Sequence, residues 1–229
     1  MGTFEPEENS FSRIIHLQRG TGRLESLGET RTFERNKILI RQWEKPWYCY
    51  VVKSGKVVAC DFTANGEERV YHVHEKDSVL LEESLLFGWE SRVELKVIRK
   101  AELVCITRAS LMQAIQEDPE IAMDVIQSVS VKFMGAMDQL RHANQYGAEW
   151  RICDLLLDYA EYYGTDYDGK ILIREKLSQQ VMSNLLGINR ITTVRAIKNL
   201  KEMGLLENIN GFYCIRDKKL LRRHQSRLE

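Results

Sequence analysis

The residues with the clearest chemistry lie in the last third of the chain. Lys176 to Leu186 reads as a short helix with Ser178 as its N-cap, and Gly187-Ile188-Asn189 interrupts it. Arg190 to Lys201 then reads as a second helix. Ser183, small and four residues before Gly187, lets the two helices cross closely around a turn that tolerates glycine geometry. On the second helix Ile197 and Leu200 face inward, while Arg190, Thr192, Arg195, Lys198 and Asn199 can face out. A basic helix rich in hydrogen-bonding groups, second in a helix-turn-helix, suits a DNA major groove. Leu205 to Ile209, an Asn210-Gly211 turn and Phe212 to Ile215 follow as a hairpin, the wing of a winged helix-turn-helix. A helix-turn-helix string alone arises often by chance. The agreement of cap, small residue, glycine turn, basic helix and wing carries the reading.

Those elements sit in a chain whose charge is unevenly divided. The 229 residues hold 33 Lys/Arg and 33 Asp/Glu, a formal net of zero. From Lys170 to Glu229 there are 13 basic against 5 acidic residues, a net of +8, which leaves −8 for the rest. A basic segment behind an acidic one fits phosphate neutralisation by the last domain alone. No apolar run is long enough to cross a bilayer. Glu5, Glu7 and Glu8 have the wrong polarity for a secretory signal. Five scattered cysteines form no CxxC pair and no zinc spacing, so neither a disulfide framework nor a metal is expected. The expectation is a cytoplasmic protein with no membrane contact.

The first half reads as short strands. Val51-Val52 and Val57-Val58-Ala59 flank Lys53-Ser54-Gly55-Lys56, a hairpin signal, and a second hairpin turns at Ala64-Asn65-Gly66-Glu67. Val93, Leu95 and Val97 alternate with charged residues, and Leu103 to Ile106 is a further apolar strand. Such strands suggest an antiparallel barrel or roll. Helical spacing begins at Ser110 and strengthens after Asp118-Pro119. Ile126, Val129, Phe133, Ala136, Leu140 and Ala143 recur at 3,4,3,4,3 spacing, the stripe of a coiled-coil seam. A core helix lying along its own roll is the competing reading. A helix from Glu149 to Tyr163 and a loop from Gly164 to Gly169 lead into the basic segment. The expected fold class is α+β, with an antiparallel β-roll over 1–109, a connecting and dimerisation helix over 110–147 and a winged helix-turn-helix over 148–229.

In that order these parts resemble the Crp/Fnr family of bacterial transcription regulators. The resemblance runs from about Thr32 to near the end, carried by Tyr50 to Val57, Ala64-Asn65-Gly66-Glu67 and Leu177 to Leu206. Gln42-Trp43 with Tyr48-Cys49 is locally similar to the PrfA-like branch. The resemblance implies a jelly roll of the cyclic-nucleotide-binding kind, a homodimer on a palindromic double-stranded operator, and RNA polymerase as a partner. It also implies that Arg190, Ile191 and Arg195 read bases, in place of the family's Arg-Glu-x-x-x-Arg. Ile191 cannot accept from cytosine N4 and suits a thymine methyl. Ser178, Gln180, Asn189 and Thr192 would hold phosphates, with Lys198 beside them.

The sensor half departs from the cyclic-nucleotide members. Its cassette stretch, Leu81 to Arg92, keeps Glu83 but lacks the flanking glycines, adds Glu82, and reverses Arg-Ser to Ser91-Arg92. A second carboxylate and missing backbone amides argue against a phosphate there, so no cyclic nucleotide is expected. No cysteine precedes Cys49, so no iron–sulfur cluster is expected either. The cofactor is left unknown. An organic effector is expected at the roll, with Tyr71, Glu83, Phe87, Trp89 and Arg92 as its pocket. The alternatives are thiol sensing at Cys49, Cys60 or Cys105 and haem sensing at His72, His74 or Cys60. The simpler reading of the two histidines is a solvent-facing strand pair. No catalytic set is apparent, so an enzyme is not expected; a protein-binding winged helix is the remaining competitor.

Overall fold

The computed structural model describes residues 14–15 and 20–229, so Glu5, Glu7 and Glu8 lie outside the described residues. The chain forms two compact units, 1–138 and 139–229. The first contains, in order, β1 (Ile14–Ile15), α1 (Gly22–Glu25), β2 (Glu29–Phe33), β3 (Ile38–Ile40), β4 (Tyr48–Phe62), β5 (Glu68–His74), β6 (Ser78–Leu80), α2 (Glu82–Phe87), β7 (Glu94–Thr107), α3 (Arg108–Glu117) and most of α4 (Pro119–Gln145). Its sheet runs β1-β5-β4-β7-β2, with β3 on β7 and β6 on β4. All pairings are antiparallel except β1 with β5.

The expected hairpin at Lys53 to Lys56 is absent. Val51 to Ala59 lies within the single 15-residue strand β4, and the two later strands merge into the 14-residue β7. The register between β4 and β7 shifts between Val52 and Val57, so Gly55 belongs to a bulge. Gly55 has φ 89°, and a Cβ there would run into the Lys100 carbonyl and Ala101 Cα. Glycine is required by the approach of the opposite strand. β4 also shows why its sequence lacks polar alternation. Cys49 and Val51 pack with Leu85, Leu111, Ile121 and Val125 on the helix side. Tyr50 and Val52 pack with Leu95, Val97 and Leu103 inside the roll. A strand buried on both faces is apolar throughout. The hairpin at Gly66 forms as expected, with Phe62 opposite Glu68.

The second unit contains the end of α4, then α5 (Ala148–Tyr163), β8 (Gly164–Tyr167), β9 (Lys170–Ile173), α6 (Gln179–Leu186), α7 (Arg190–Glu202), β10 (Leu206–Ile209), β11 (Phe212–Ile215) and α8 (Lys218–Ser226). The Gly164 to Gly169 stretch is thus a strand and a tight turn, not a loop. Asp168 and Gly169 have φ 51° and 76°, the two positive values that a two-residue hairpin turn uses. β9 carries the sheet on to the wing, in the order β10-β11-β9-β8. Helix α8 was not legible in the sequence reading. Asp217 caps it by accepting from Lys219 and Leu220 N–H, and Leu221 is its one fully buried side chain.

Candidate nucleic-acid interface

Helix α6 starts at Ser178, whose hydroxyl accepts from Val181 N–H at 3.2 Å. It stops at Gly187, which takes the left-handed φ of 61° that only glycine adopts freely. Helix α7 starts at Asn189, whose Oδ1 accepts from Ile191 N–H at 2.7 Å. The helices meet at a buried hydroxyl pair, Ser183 Oγ to Thr193 Oγ1 at 2.9 Å. Ser183 also donates to the Gln179 carbonyl at 2.8 Å. The small residue foreseen at 183 therefore works through a hydrogen bond as well as through size, and Thr193 is its unforeseen partner.

Thr193, Ala196, Ile197 and Leu200 are buried, which orients α7 about its axis. That leaves Arg190, Ile191, Thr192, Arg195 and Lys198 exposed, with the Ile191 side chain 62% accessible. Ser178, Gln180 and Asn189 are exposed as well. Gln180 donates to Asn184 at 2.8 Å, and Lys198 pairs with Glu202 at 3.5 Å across one helical turn. Asn199 is exposed but engaged: its Nδ2 donates to both carboxylate oxygens of Glu149, at 2.9 and 2.8 Å. The same Glu149 lies 2.7 Å from His224 Nε2 on α8. The wing is braced by Glu207, which holds Lys170 at 3.1 Å and Arg216 at 2.7 Å.

On α4 the two faces differ. Ile121 and Val125 are buried in the helix-side core of the roll, and Ser128 and Gly135 are buried on the same side. Ile126, Val129, Phe133, Ala136, Leu140 and Ala143 are all exposed. The helix does lie along its roll, but with the face opposite to the predicted stripe.

The residues expected to form the effector pocket are dispersed among separate partners. Tyr71 donates to Asp61 at 2.7 Å. Phe87 and Trp89 stack on each other at 4.8 Å, and the Arg92 guanidinium lies over the Trp43 ring at 4.7 Å. Glu83 lies 3.6 Å from Lys132. Glu82 does not present a free carboxylate to a ligand: it is fully buried and lies 2.6 Å from Lys132 Nζ. A cavity of about 450 Å³ opens elsewhere, lined by Ile40, Glu44, Lys45, Trp47, Tyr48 and Tyr50 among others; none of the five residues expected at the effector site lines it.

His74 is buried, which corrects the solvent-facing reading for that residue, and its ring stands 5.9 Å from that of His72. Burial, with His72 and Lys132 nearby, holds its imidazole well below the usual histidine range. Cys49, Cys60 and Cys105 are buried, and burial pushes each thiol up, Cys60 to about 12. Such thiols stay protonated and unreactive at neutral pH. Among the described residues there is no His/Cys/Asp/Glu group able to hold a metal and no helix long and apolar enough to cross a membrane.

Comparison with known proteins matches these parts one by one. Residues 151–224 fit the Crp-like helix-turn-helix domain, and residues 30–118 fit the cyclic nucleotide-binding domain. The global nitrogen regulator of Nostoc sp. is 25% identical over 194 residues, covering 84% of this chain and 86% of its own. The CRP-like cAMP-activated global transcriptional regulator of Mycobacterium tuberculosis is 21% identical over 191 residues, covering 83% and 85%. Among solved structures, the c-di-GMP responsive global regulator CLP of Xanthomonas campestris superposes with a TM-score of 0.76 at 19% identity, covering 86% of this chain and 97% of that one. Both domain matches occur in this order and are joined by a long helix: the chain belongs to the Crp/Fnr family of transcription regulators.

Proposed function

We propose that the protein binds a palindromic operator as a homodimer, with Arg190, Ile191 and Arg195 reading bases and Ser178, Gln180, Asn189, Thr192 and Lys198 on the phosphate backbone. The observation that carries this reading is the orientation of α7: its buried face is set by Thr193, Ala196, Ile197 and Leu200, so both arginines and Ile191 project outward together. Each guanidinium can bond the O6 and N7 edge of a guanine, and Ile191 can meet a thymine methyl. The exposed α4 stripe supports dimerisation, which sets two half-sites about one helical turn apart. RNA polymerase is the expected further partner and the cytoplasm the expected compartment. Selection from random duplexes, followed by binding at rising salt, tests the reading. A palindrome with a thymine step and a steep fall of affinity with salt is expected. Recovery of the half-site read by the family glutamate, or salt-independent binding, overturns it.

The cavity at Trp47 supports an effector reading that does not depend on the cassette stretch. Its volume of about 450 Å³ suits a small organic molecule, and aromatic walls with Glu44 and Lys45 at the lining favour one with an apolar body and a charged group. Neither cyclic-nucleotide nor thiolate sensing is proposed, given the paired Glu82 and the buried thiols. Thermal shift of the whole protein against aromatic acids tests this. A rise in Tm that Trp47→Ala removes is expected; the same rise in that variant overturns the site.

A further inference from the structure

We infer that Glu149 is a positioning residue for DNA recognition: a carboxylate on α5 that ties the tail of α7 to α8 and so sets how α7 presents its arginines. The inference rests on α7 being the reading helix.

The geometry is specific. Glu149 lies in the first turn of α5 and is only partly exposed. Its two oxygens accept from Asn199 Nδ2 at 2.9 and 2.8 Å, and Oε1 also meets His224 Nε2 at 2.7 Å. Asn199 is on the last full turn of α7, whereas Arg190 and Arg195 are on the first two. The front of α7 is fixed by the buried Ser183–Thr193 pair and the rear by this carboxylate. Thr193, Ala196, Ile197 and Leu200 seat the buried face of α7, and the carboxylate adds a polar tie at its rear that fixes how the exposed face is turned. The neighbouring α8 residue Gln225 reaches Asp154 of α5 at 3.4 Å, and Asp154 in turn lies 3.3 Å from His142. Two α5 carboxylates therefore anchor α8, and the one at Glu149 extends the anchorage to the reading helix.

An acidic residue beside a DNA-binding helix would ordinarily weaken binding through its charge, so removing it should help. The positioning role makes the opposite forecast. Glu149→Ala should weaken binding to a selected operator duplex on the order of tenfold, the scale of a lost hydrogen bond to a charged group. Binding to a scrambled duplex of the same length should be unchanged or slightly tighter. Glu149→Gln keeps an acceptor for Asn199 and should restore most of the specific affinity. Asn199→Ala should lose specific affinity to a similar degree, and the double variant should lose no more than either single one. Equal or tighter operator binding by Glu149→Ala overturns the inference. So does an equal loss on both duplexes accompanied by a lower Tm, which marks a merely structural role. Arg195→Ala is the control for the underlying reading. If that variant keeps full affinity, the assignment of α7 fails; if it loses affinity while Glu149→Ala does not, only the positioning role fails.

Discussion

Lys132 Nζ stands 2.6 Å from the fully buried carboxylate of Glu82, joining the helix that carries the exposed apolar stripe to α2 of the roll. Burial raises the Glu82 carboxyl above its ordinary range, and Lys132 pulls it back. Burial lowers the Lys132 ammonium, but Glu82 and Glu83 more than offset this, so it stays charged near neutral pH. Removing one partner strands the other. Lys132→Met should cost roughly 3–5 kcal/mol of stability, read by urea unfolding, whereas Lys132→Met with Glu82→Leu should cost much less. The pH sign is also fixed. With its folded pKa raised, Glu82 binds a proton more readily folded than unfolded, so its contribution to stability falls as pH rises through that window. The Lys132→Met deficit should therefore shrink as the solution is acidified toward the carboxylate range. A deficit that grows instead would show that Glu82 is not the stranded group.

His74 makes the opposite forecast on acidification. Its folded pKa is depressed, by burial first and by His72 and Lys132 after it. Below about pH 6.5 the unfolded chain takes up a proton that the folded chain refuses, so stability falls as pH falls through that value. His74→Leu should flatten this part of the profile between about pH 5 and 7, measured by chemical unfolding at each pH. An unchanged slope would place the acid sensitivity on another group.

The DNA-reading domain was legible because its signals are local. The Ser178 cap, the Gly187 stop and the Asn210-Gly211 turn each act over a few residues, and all three occur as read. The roll was legible in class but not in detail, because its decisive facts are contacts between distant segments. Gly55 looks like a turn residue by sequence, yet it is glycine because Lys100 and Ala101 crowd it from another strand. Glu82 looked like a free negative charge because Lys132 is fifty positions away. Helix α8 escaped notice because only Leu221 is fully buried on it, too little to register as an apolar stripe. The α4 stripe was legible because periodicity alone separates the two faces of a long helix.

Phe133 tests that stripe directly. Its side chain is 60% exposed in the single chain, so Phe133→Glu removes no core contact and the protein should still fold. In a seam, two symmetry-related carboxylates would be brought together and stripped of water, which opposes association strongly. Sedimentation should find a monomer with unchanged helical content, and operator binding should collapse because one half-site alone binds weakly. A stable dimer in this variant would move the interface off the stripe.

Ile191 offers the sharpest test of how the operator is read. It is exposed between Arg190 and Thr192, and in the proposed reading a carboxylate placed there would accept from cytosine N4. Its backbone N–H is already held by Asn189 Oδ1 at 2.7 Å, so substitution changes the side chain without disturbing the start of α7. Ile191→Glu should exchange a methyl contact for a hydrogen-bond acceptor. Its preferred base should move from thymine to cytosine at one position in each half-site, while the guanines opposite Arg190 and Arg195 are retained. The change should be about 1–3 kcal/mol per half-site, or about fivefold to 150-fold in relative affinity. On the proposed two-fold symmetric operator, a dimer should show the switch at both half-sites together. Binding of parent and variant to paired duplexes differing only at that base pair measures it. A uniform loss of affinity with no change of preference would mean that residue 191 does not face a base.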